Sequence, residues 1–169
     1  MSNFIYPDFD DKITVKYINN NELYKGYWKE SEKNVLNYII KKYFINSMNR
    51  MLDVGCGLGR LSLFFSNYFN EIVAIEPDSS RYIKAKENFE KSNSSTKFRT
   101  ILGDLNSINS DNFFDFILCS HAIQHIPYKK TDEIISGCCK RLKNNGYFVL
   151  TTSHSIKAND YYLKTYVKN

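Results

Sequence analysis

From residue 50 onward, apolar and polar positions follow two alternating rhythms. "RMLDV" is a short run of the kind that forms a buried strand, and "RLSLFFSNYF" then puts Leu61, Phe64, Phe65, Tyr68 and Phe69 on one helical face. "EIVAIE" predicts a second strand. Asp78 stands where it can cap the helix "SSRYIKAKENFEK", whose Tyr82, Ala85 and Phe89 face one way. "KFRTILGD" predicts a third strand, and "FFDFILCS" a fourth, nearly all apolar, as a strand covered on both faces is. "TDEIISGCCKRL" predicts a helix with Thr131 as its cap and Ile134, Ile135, Cys138, Cys139 and Leu142 on one side. "NNG" reads as a turn and "YFVLTT" as a fifth strand. Upstream, "SEKNVLNYIIKKYF" predicts a helix capped by Ser31, with Val35, Leu36, Ile39, Ile40, Tyr43 and Phe44 on one face. Before it, "KITVKYI" alternates like a short edge strand.

Strands and helices that alternate with tight connections imply an α/β fold: a doubly wound, mostly parallel, Rossmann-like sheet of about five strands with helices on both faces. The 169 residues suit one domain. Within it, residues 1–46 read as an N-terminal helical cap region, 50–152 as the core and 153–169 as a tail. Ligands of such sheets bind beyond the C-terminal strand ends, where the strand order reverses.

Composition narrows the class. Hydrophobic residues make up 43% of the chain and aromatic residues 15%, which favours a packed globule over disorder. No apolar stretch approaches the length of a membrane span, and the N-terminus lacks the order of a signal peptide, so a cytoplasmic location is expected. Cys56, Cys119, Cys138 and Cys139 lack metal or disulfide spacing; they read as small buried hydrophobes, and no metal is expected. The net charge of +5 is spread along polar helix faces, which argues for a solvated surface rather than a nucleic-acid footprint.

The loop after the first core strand carries the chemistry. "DVGCGLG" places Gly55, Gly57 and Gly59 at alternate positions behind Asp53. An acid at the head of such a loop is a poor neighbour for a pyrophosphate and a good one for an ammonium group. Glu76 ends the second strand, where a carboxylate can accept both hydroxyls of a ribose. Asp104 follows the third strand, where it can accept from an exocyclic adenine amine while the Leu105 N–H donates to the ring. An amine, a ribose and an adenine without phosphates are the inventory of S-adenosylmethionine.

On these residues the chain resembles the class I S-adenosylmethionine-dependent methyltransferases, in particular the group acting on small molecules. "LDVGCGLGR", "IEP", "GDL", "FDFILCSHAIQHIP" and "RLKNNGYFVLTT" follow the family's order of motifs over about residues 30 to 155. The resemblance implies that Asp53, Gly55, Cys56 and Gly57 hold the methionine end. It places the ribose at Glu76 and Pro77, the adenine at Asp104 and Leu105, and the sulfonium near Ser120 and His121. The methionine moiety would then occupy the space of any side chain added at Gly55. A paired glycine is more usual than Asn145-Gly146. The Asn/Asp-Pro-Pro-Tyr/Phe motif of amine methylation on bases is missing at "CSHA", and the Pro-Cys pair of the cytosine-C5 group is missing too. DNA is therefore not expected as substrate, and RNA stays open. The family's sheet has seven strands. The chain after the fifth is too short for two more, so the sequence reads as a fragment whose fifth strand has a free edge, with self-association through residues 147 to 152 expected.

Methyl transfer is an in-line displacement whose leaving group needs no acid, so alignment in a dry site is the main task. A base is needed only for an acceptor that arrives protonated, and His121 and His125 are the candidates, with His125 also read as a loop pin. Tyr24, Tyr27 and Trp28 read equally as a lid or as core, and His154 is expected at the mouth of the crevice. The expected activity is methyl transfer to an oxygen, nitrogen or carbon of a small molecule. The alternatives are a cofactor-binding module without its own chemistry, an RNA methyltransferase and, more distantly, a nicotinamide-dependent oxidoreductase.

Overall fold

The computed structural model describes residues 22–43, 48–109 and 113–152. Its helices are α1 (Glu22–Tyr43), α2 (Arg60–Phe65), α3 (Ser79–Glu90) and α4 (Tyr128–Lys140). Strands β1 (Met48–Val54), β2 (Phe69–Glu76), β3 (Lys97–Leu102), β4 (Phe114–Ser120) and β5 (Leu142–Thr151) form one parallel sheet in the order β3-β2-β1-β4-β5. β1, β2 and β4 each lead through a connection to a parallel neighbour, and β3 crosses back to β4 on the other side of β1, which is the doubly wound arrangement expected from the alternation.

The central strands are apolar because both faces are covered. Met51, Leu52, Ile72, Phe114, Phe116 and Ile117 are wholly buried. On one face Ala85 and Phe89 of α3 pack on Ala74, and the Phe89 ring stacks on Phe98 at 4.4 Å. Another buried cluster joins Leu52, Val54 and Ile117 with Cys138 of α4. The Phe65 and Phe69 rings each lie 5.7 Å from that of Phe116. Truncating a buried ring such as Phe116 to alanine costs about 3–5 kcal/mol.

Several local readings are corrected. α2 stops at Phe65, and Ser66–Tyr68 form a single 3-10 turn. The Thr96 hydroxyl shares its proton between the carbonyls of Ser66 and Phe69, and Phe69 joins the sheet opposite Met48, so a longer helix cannot form. Phe64 is left exposed. Thr131 is not a cap: α4 begins after Pro127, whose carbonyl accepts the Lys130 N–H at 2.8 Å. Adjacent helical residues point about 100° apart, so the buried stripe of α4 can take Cys138 and leave Cys139 at its edge. Cys138 is buried and Cys139 exposed, against the reading of all four cysteines as buried. Leu142 belongs to β5, opposite Phe114.

The "NNG" turn lies within β5 as a bulge. The register passes from Phe114↔Leu142 to Phe116↔Tyr147, leaving residues 143–146 opposite Asp115. Lys143 anchors the bulge with an ion pair to Asp115 at 2.8 Å. Asn145 takes φ 66°, a left-handed conformation that asparagine tolerates where a glycine is more usual.

α1 belongs to a compact unit spanning Tyr6–Ser47, separate from the unit that holds the sheet. It starts nine residues before Ser31, which therefore lies inside the helix. The spacing of Leu23, Tyr24, Tyr27 and Trp28 continues the helical period upstream. Among its described side chains Leu36 and Ile39 are buried, while Val35 is exposed. The side chains of Tyr24, Tyr27 and Trp28 lie outside the described residues, as do "KITVKYI", Phe44, His154 and the tail from 153 to 169.

Candidate functional site

The chain runs outward from β1 through β2 to β3, then returns to the other side of β1 for β4 and β5. The crevice at this reversal lies beyond the C-terminal ends of β1 and β4. The loop from Gly55 to Gly59 leaves β1 at that point. Gly55 and Cys56 donate to the Ile75 carbonyl at 2.9 and 3.0 Å, and Gly59 donates to the Cys56 carbonyl at 2.9 Å. Asn88 of α3 donates to the Leu58 carbonyl at 3.0 Å.

Gly55, Gly57 and Gly59 adopt φ 72°, 58° and 78°, the left-handed region in which a side chain is strained. What each glycine faces differs. A Cβ at Gly55 would sit 2.6 Å from the Ala122 Cβ, and one at Gly59 would sit 2.4 Å from the Phe89 ring. A Cβ at Gly57 would meet nothing within 4 Å. The side-chain direction of Gly55 thus faces the loop after β4, and that of Gly57 faces open space.

Three acids stand at three adjacent strand ends. Asp53, 2% exposed, accepts from the Ser62 hydroxyl at 2.6 Å. Burial pushes its carboxyl up to about 6, with Ser62 opposing and the Glu76 charge adding to the rise. Glu76 is 1% exposed and accepts two backbone N–H groups, from Gly57 at 2.8 Å and from Asp78 at 3.1 Å. Burial raises its carboxyl as well, and these two N–H donors oppose the rise. The Glu76 carbonyl accepts the Gly103 N–H at 3.0 Å, which ties the end of β3 to the end of β2. Asp104 is exposed; its Oδ1 accepts the Asn106 N–H at 2.9 Å and so starts the 3-10 turn Leu105–Ser107. Leu105 is buried in the core cluster.

On the other side of the crevice, Ser120 ends β4 with its hydroxyl 2.7 Å from that of Thr151. His121 turns the chain at φ 53° and donates its N–H to the Thr151 carbonyl at 2.8 Å. His125 closes the 3-10 turn Ile123–His125, with its Nε2 3.4 Å from the Gln124 amide nitrogen. Burial holds the His125 imidazole below its ordinary range, helped by the charges of Arg81 and His121. Both effects favour its neutral form.

The chain thus links Asp53, the glycine loop, Glu76, Pro77, Asp104 and Leu105 along one rim. Contact between Ala122 and Gly55 joins Ser120 and His121 to it. Half-buried Cys56 has its thiol raised by burial and by the Asp53 and Glu76 charges, which keeps it protonated. Sequence reasoning missed Ser62, Asn88, Ala122 and Thr151. Ser62 alone left a trace, as a polar residue between Leu61 and Leu63 in an apolar helix. Among the described residues, no group of three or more His, Cys, Asp or Glu could hold a metal, and no helix is long and apolar enough to cross a membrane.

A family model described as a methyltransferase domain matches residues 51–146. A ubiquinone biosynthesis O-methyltransferase of Rhodopseudomonas palustris is 28% identical over 103 residues, covering 61% of this chain and 39% of the relative. The crystal structure of the Bacillus subtilis YcgJ protein superposes with a TM-score of 0.58 at 27% identity, covering 70% of this chain and 50% of that one. A glycopeptide N-methyltransferase, MtfA, complexed with S-adenosylmethionine shares the fold at a TM-score of 0.58 and 16% identity, covering 69% of this chain and 52% of that one. The chain thus spans about two fifths to half of the length of these proteins.

Proposed function

Because this chain belongs to the methyltransferase-domain family, we propose that it binds S-adenosylmethionine at the β1/β4 crevice and transfers its methyl group to a small-molecule acceptor in the cytoplasm. The observation that carries the reading is the pairing of an open Gly57 with a buried Glu76. The loop leaves room for a ligand where the carboxylate beneath it still has acceptor capacity. A carboxylate has about four acceptor sites, and Glu76 uses two on N–H groups, which leaves room for two ribose hydroxyls. Asp53 keeps a raised carboxyl although Ser62 and the Arg60 charge oppose the rise, and a ligand ammonium would further offset the burial that causes it. Asp104 keeps a carboxylate oxygen for an exocyclic amine.

When bound, S-adenosylmethionine supplies an electrophilic methyl group on a sulfonium. The chain's own part is to hold the ligand ends with Asp53, Glu76 and Asp104 and to line the reacting side with Ser120 and His121. Where the acceptor is a hydroxyl, His121 and His125 are the candidate bases. The neutral imidazole of His125 is the form able to take a proton. We read residues 1–169 as one cofactor-binding domain, with 1–46 as its cap region, and the open side of β5 as a surface for self-association. The acceptor stays unassigned, with RNA behind small molecules and DNA disfavoured.

Calorimetric titration with S-adenosylmethionine, S-adenosylhomocysteine and NAD tests the proposal. One-to-one binding of the first two and none of NAD is expected. Binding of NAD alone would move the chain to hydride chemistry and overturn the reading.

A further inference from the structure

Arg141 opens the "RLKNNGYFVLTT" stretch but was given no role in the site, and its side chain ends on the turn that follows β3. It caps the C-terminus of α4, where its Nη1 donates to the Gly137 carbonyl at 3.0 Å. Its Nη2 donates to two carbonyls of the β3 turn, Leu105 at 2.9 Å and Ile108 at 3.0 Å. Its own carbonyl accepts the Phe114 N–H at 2.8 Å, which fixes the residue against the start of β4. Its Nε is buried and has no hydrogen-bond partner.

A guanidinium at the surface would not give up water at Nε for three neutral carbonyls without a return. Here the planar fork spans two segments far apart in sequence, as an ammonium on a flexible stem cannot. Gly137 makes the approach close: a Cβ there would lie 3.3 Å from Leu105 Cδ1. The turn itself is thinly held. Its backbone bonds are Ser107 N–H to Asp104 and Ile108 N–H to Leu105, at 3.0 and 3.2 Å. Leu105 and Ile108 anchor its apolar side in the core, and Arg141 anchors its carbonyls.

We propose that Arg141 is a positioning residue for adenine recognition: by clamping the Leu105 and Ile108 carbonyls it fixes the turn that presents Asp104 and the Leu105 N–H. The inference rests on the assignment of the adenine to Asp104 and Leu105. The glycine loop and Glu76 are held by other groups, Ile75, Asn88 and the N–H of Asp78, so loss of the clamp leaves the methionine and ribose ends in place.

The test compares S-adenosylhomocysteine with S-inosylhomocysteine, which carries a carbonyl oxygen in place of the exocyclic amine. Wild type, Asp104→Asn, Arg141→Lys and Arg141→Gln are titrated by calorimetry. Wild type is expected to prefer the adenine ligand. Arg141→Lys and Arg141→Gln are expected to bind it about tenfold more weakly and the inosine ligand within about twofold of wild type. Amide exchange at Leu105 to Ile108 is expected to speed up in both. A purely structural role would weaken both ligands alike. Equal wild-type affinity for the two ligands overturns the adenine assignment and the proposal with it. An unchanged preference in Arg141→Lys, beside a preference lost in Asp104→Asn, overturns the role of Arg141 alone. If neither Arg141 variant folds, guanidinium nitrogen resonances of wild type decide. Arg141 shifts larger with the adenine ligand than with the inosine one support the clamp, and equal shifts reject it.

Discussion

The Glu76 carboxylate accepts the Gly57 N–H at 2.8 Å, across 19 residues of chain, and so fastens the glycine loop of β1 to the end of β2. The residue read as the ribose acceptor is thus also a support of the loop above it. Each charge-assisted bond of this kind is worth about 1.5–3 kcal/mol.

Glu76→Gln keeps one acceptor oxygen and removes the charge. It is expected to weaken S-adenosylhomocysteine at least about tenfold while far-ultraviolet circular dichroism stays that of wild type. Unchanged affinity in the folded variant removes the ribose assignment.

Gly55 and Gly57 are expected to fail in different ways. Gly55→Ala drives a Cβ into Ala122 and destabilises the fold by roughly 1–3 kcal/mol, read as a lower denaturant midpoint. Ala122→Gly in the same chain recovers the part of that loss due to the clash. Gly57→Ala pays only the left-handed strain, about 1–2 kcal/mol, yet puts a methyl group into the ligand's space and abolishes binding. A Gly57→Ala protein that is folded and binds normally would show that the loop does not border the ligand.

Asp53 gives a pH dependence whose sign follows from its raised carboxyl. Its folded value, about 6, lies above the ordinary value of 3.8, so the folded state holds the proton more tightly. The stability this contributes is full below pH 4 and is lost as the pH rises towards 6, by about 3 kcal/mol in order of magnitude. A ligand ammonium favours the ionised form. Affinity is therefore expected to rise between pH 5 and pH 7, with proton release on binding, and Asp53→Asn is expected to flatten the profile. Calorimetry at pH 6 in two buffers of different ionisation enthalpy measures that proton. Proton uptake, or none, would contradict the assignment.

The outer side of β5 has no strand partner among the described residues, and Tyr147 and Leu150, on opposite faces of that strand, are exposed. An open edge with apolar residues pairs with other chains unless it is covered. Wild type is expected to self-associate with rising concentration by light scattering, and Leu150→Lys to reduce it. A wild type that stays monomeric, with slow amide exchange through residues 147 to 152, shows a covered edge and rejects this.

The sheet was legible because its code is local. "FFDFILCS" is apolar at nearly every position since β4 is covered on both faces, and the three glycines and the acids at strand ends lie at fixed offsets from strands. Helix starts were less legible: Pro127 rather than Thr131 opens α4, and the width of its buried face, which leaves Cys139 in solvent, depends on what packs against it. The least legible contacts depend on distant segments. Nothing near Gly55 in sequence announces Ala122, 67 positions away. Nothing in "KRLKNNG" shows that Arg141 turns back to a carbonyl 36 residues earlier.

Whether one crevice holds the whole of S-adenosylmethionine is tested by an amide chemical-shift titration of the isotope-labelled chain with S-adenosylhomocysteine. Saturable shifts are expected at Asp53 to Gly57, Glu76 to Asp78, Asp104 to Leu105 and Ser120 to His121. Shifts confined to other surfaces, or a folded chain with none at millimolar ligand, would contradict binding in that one crevice.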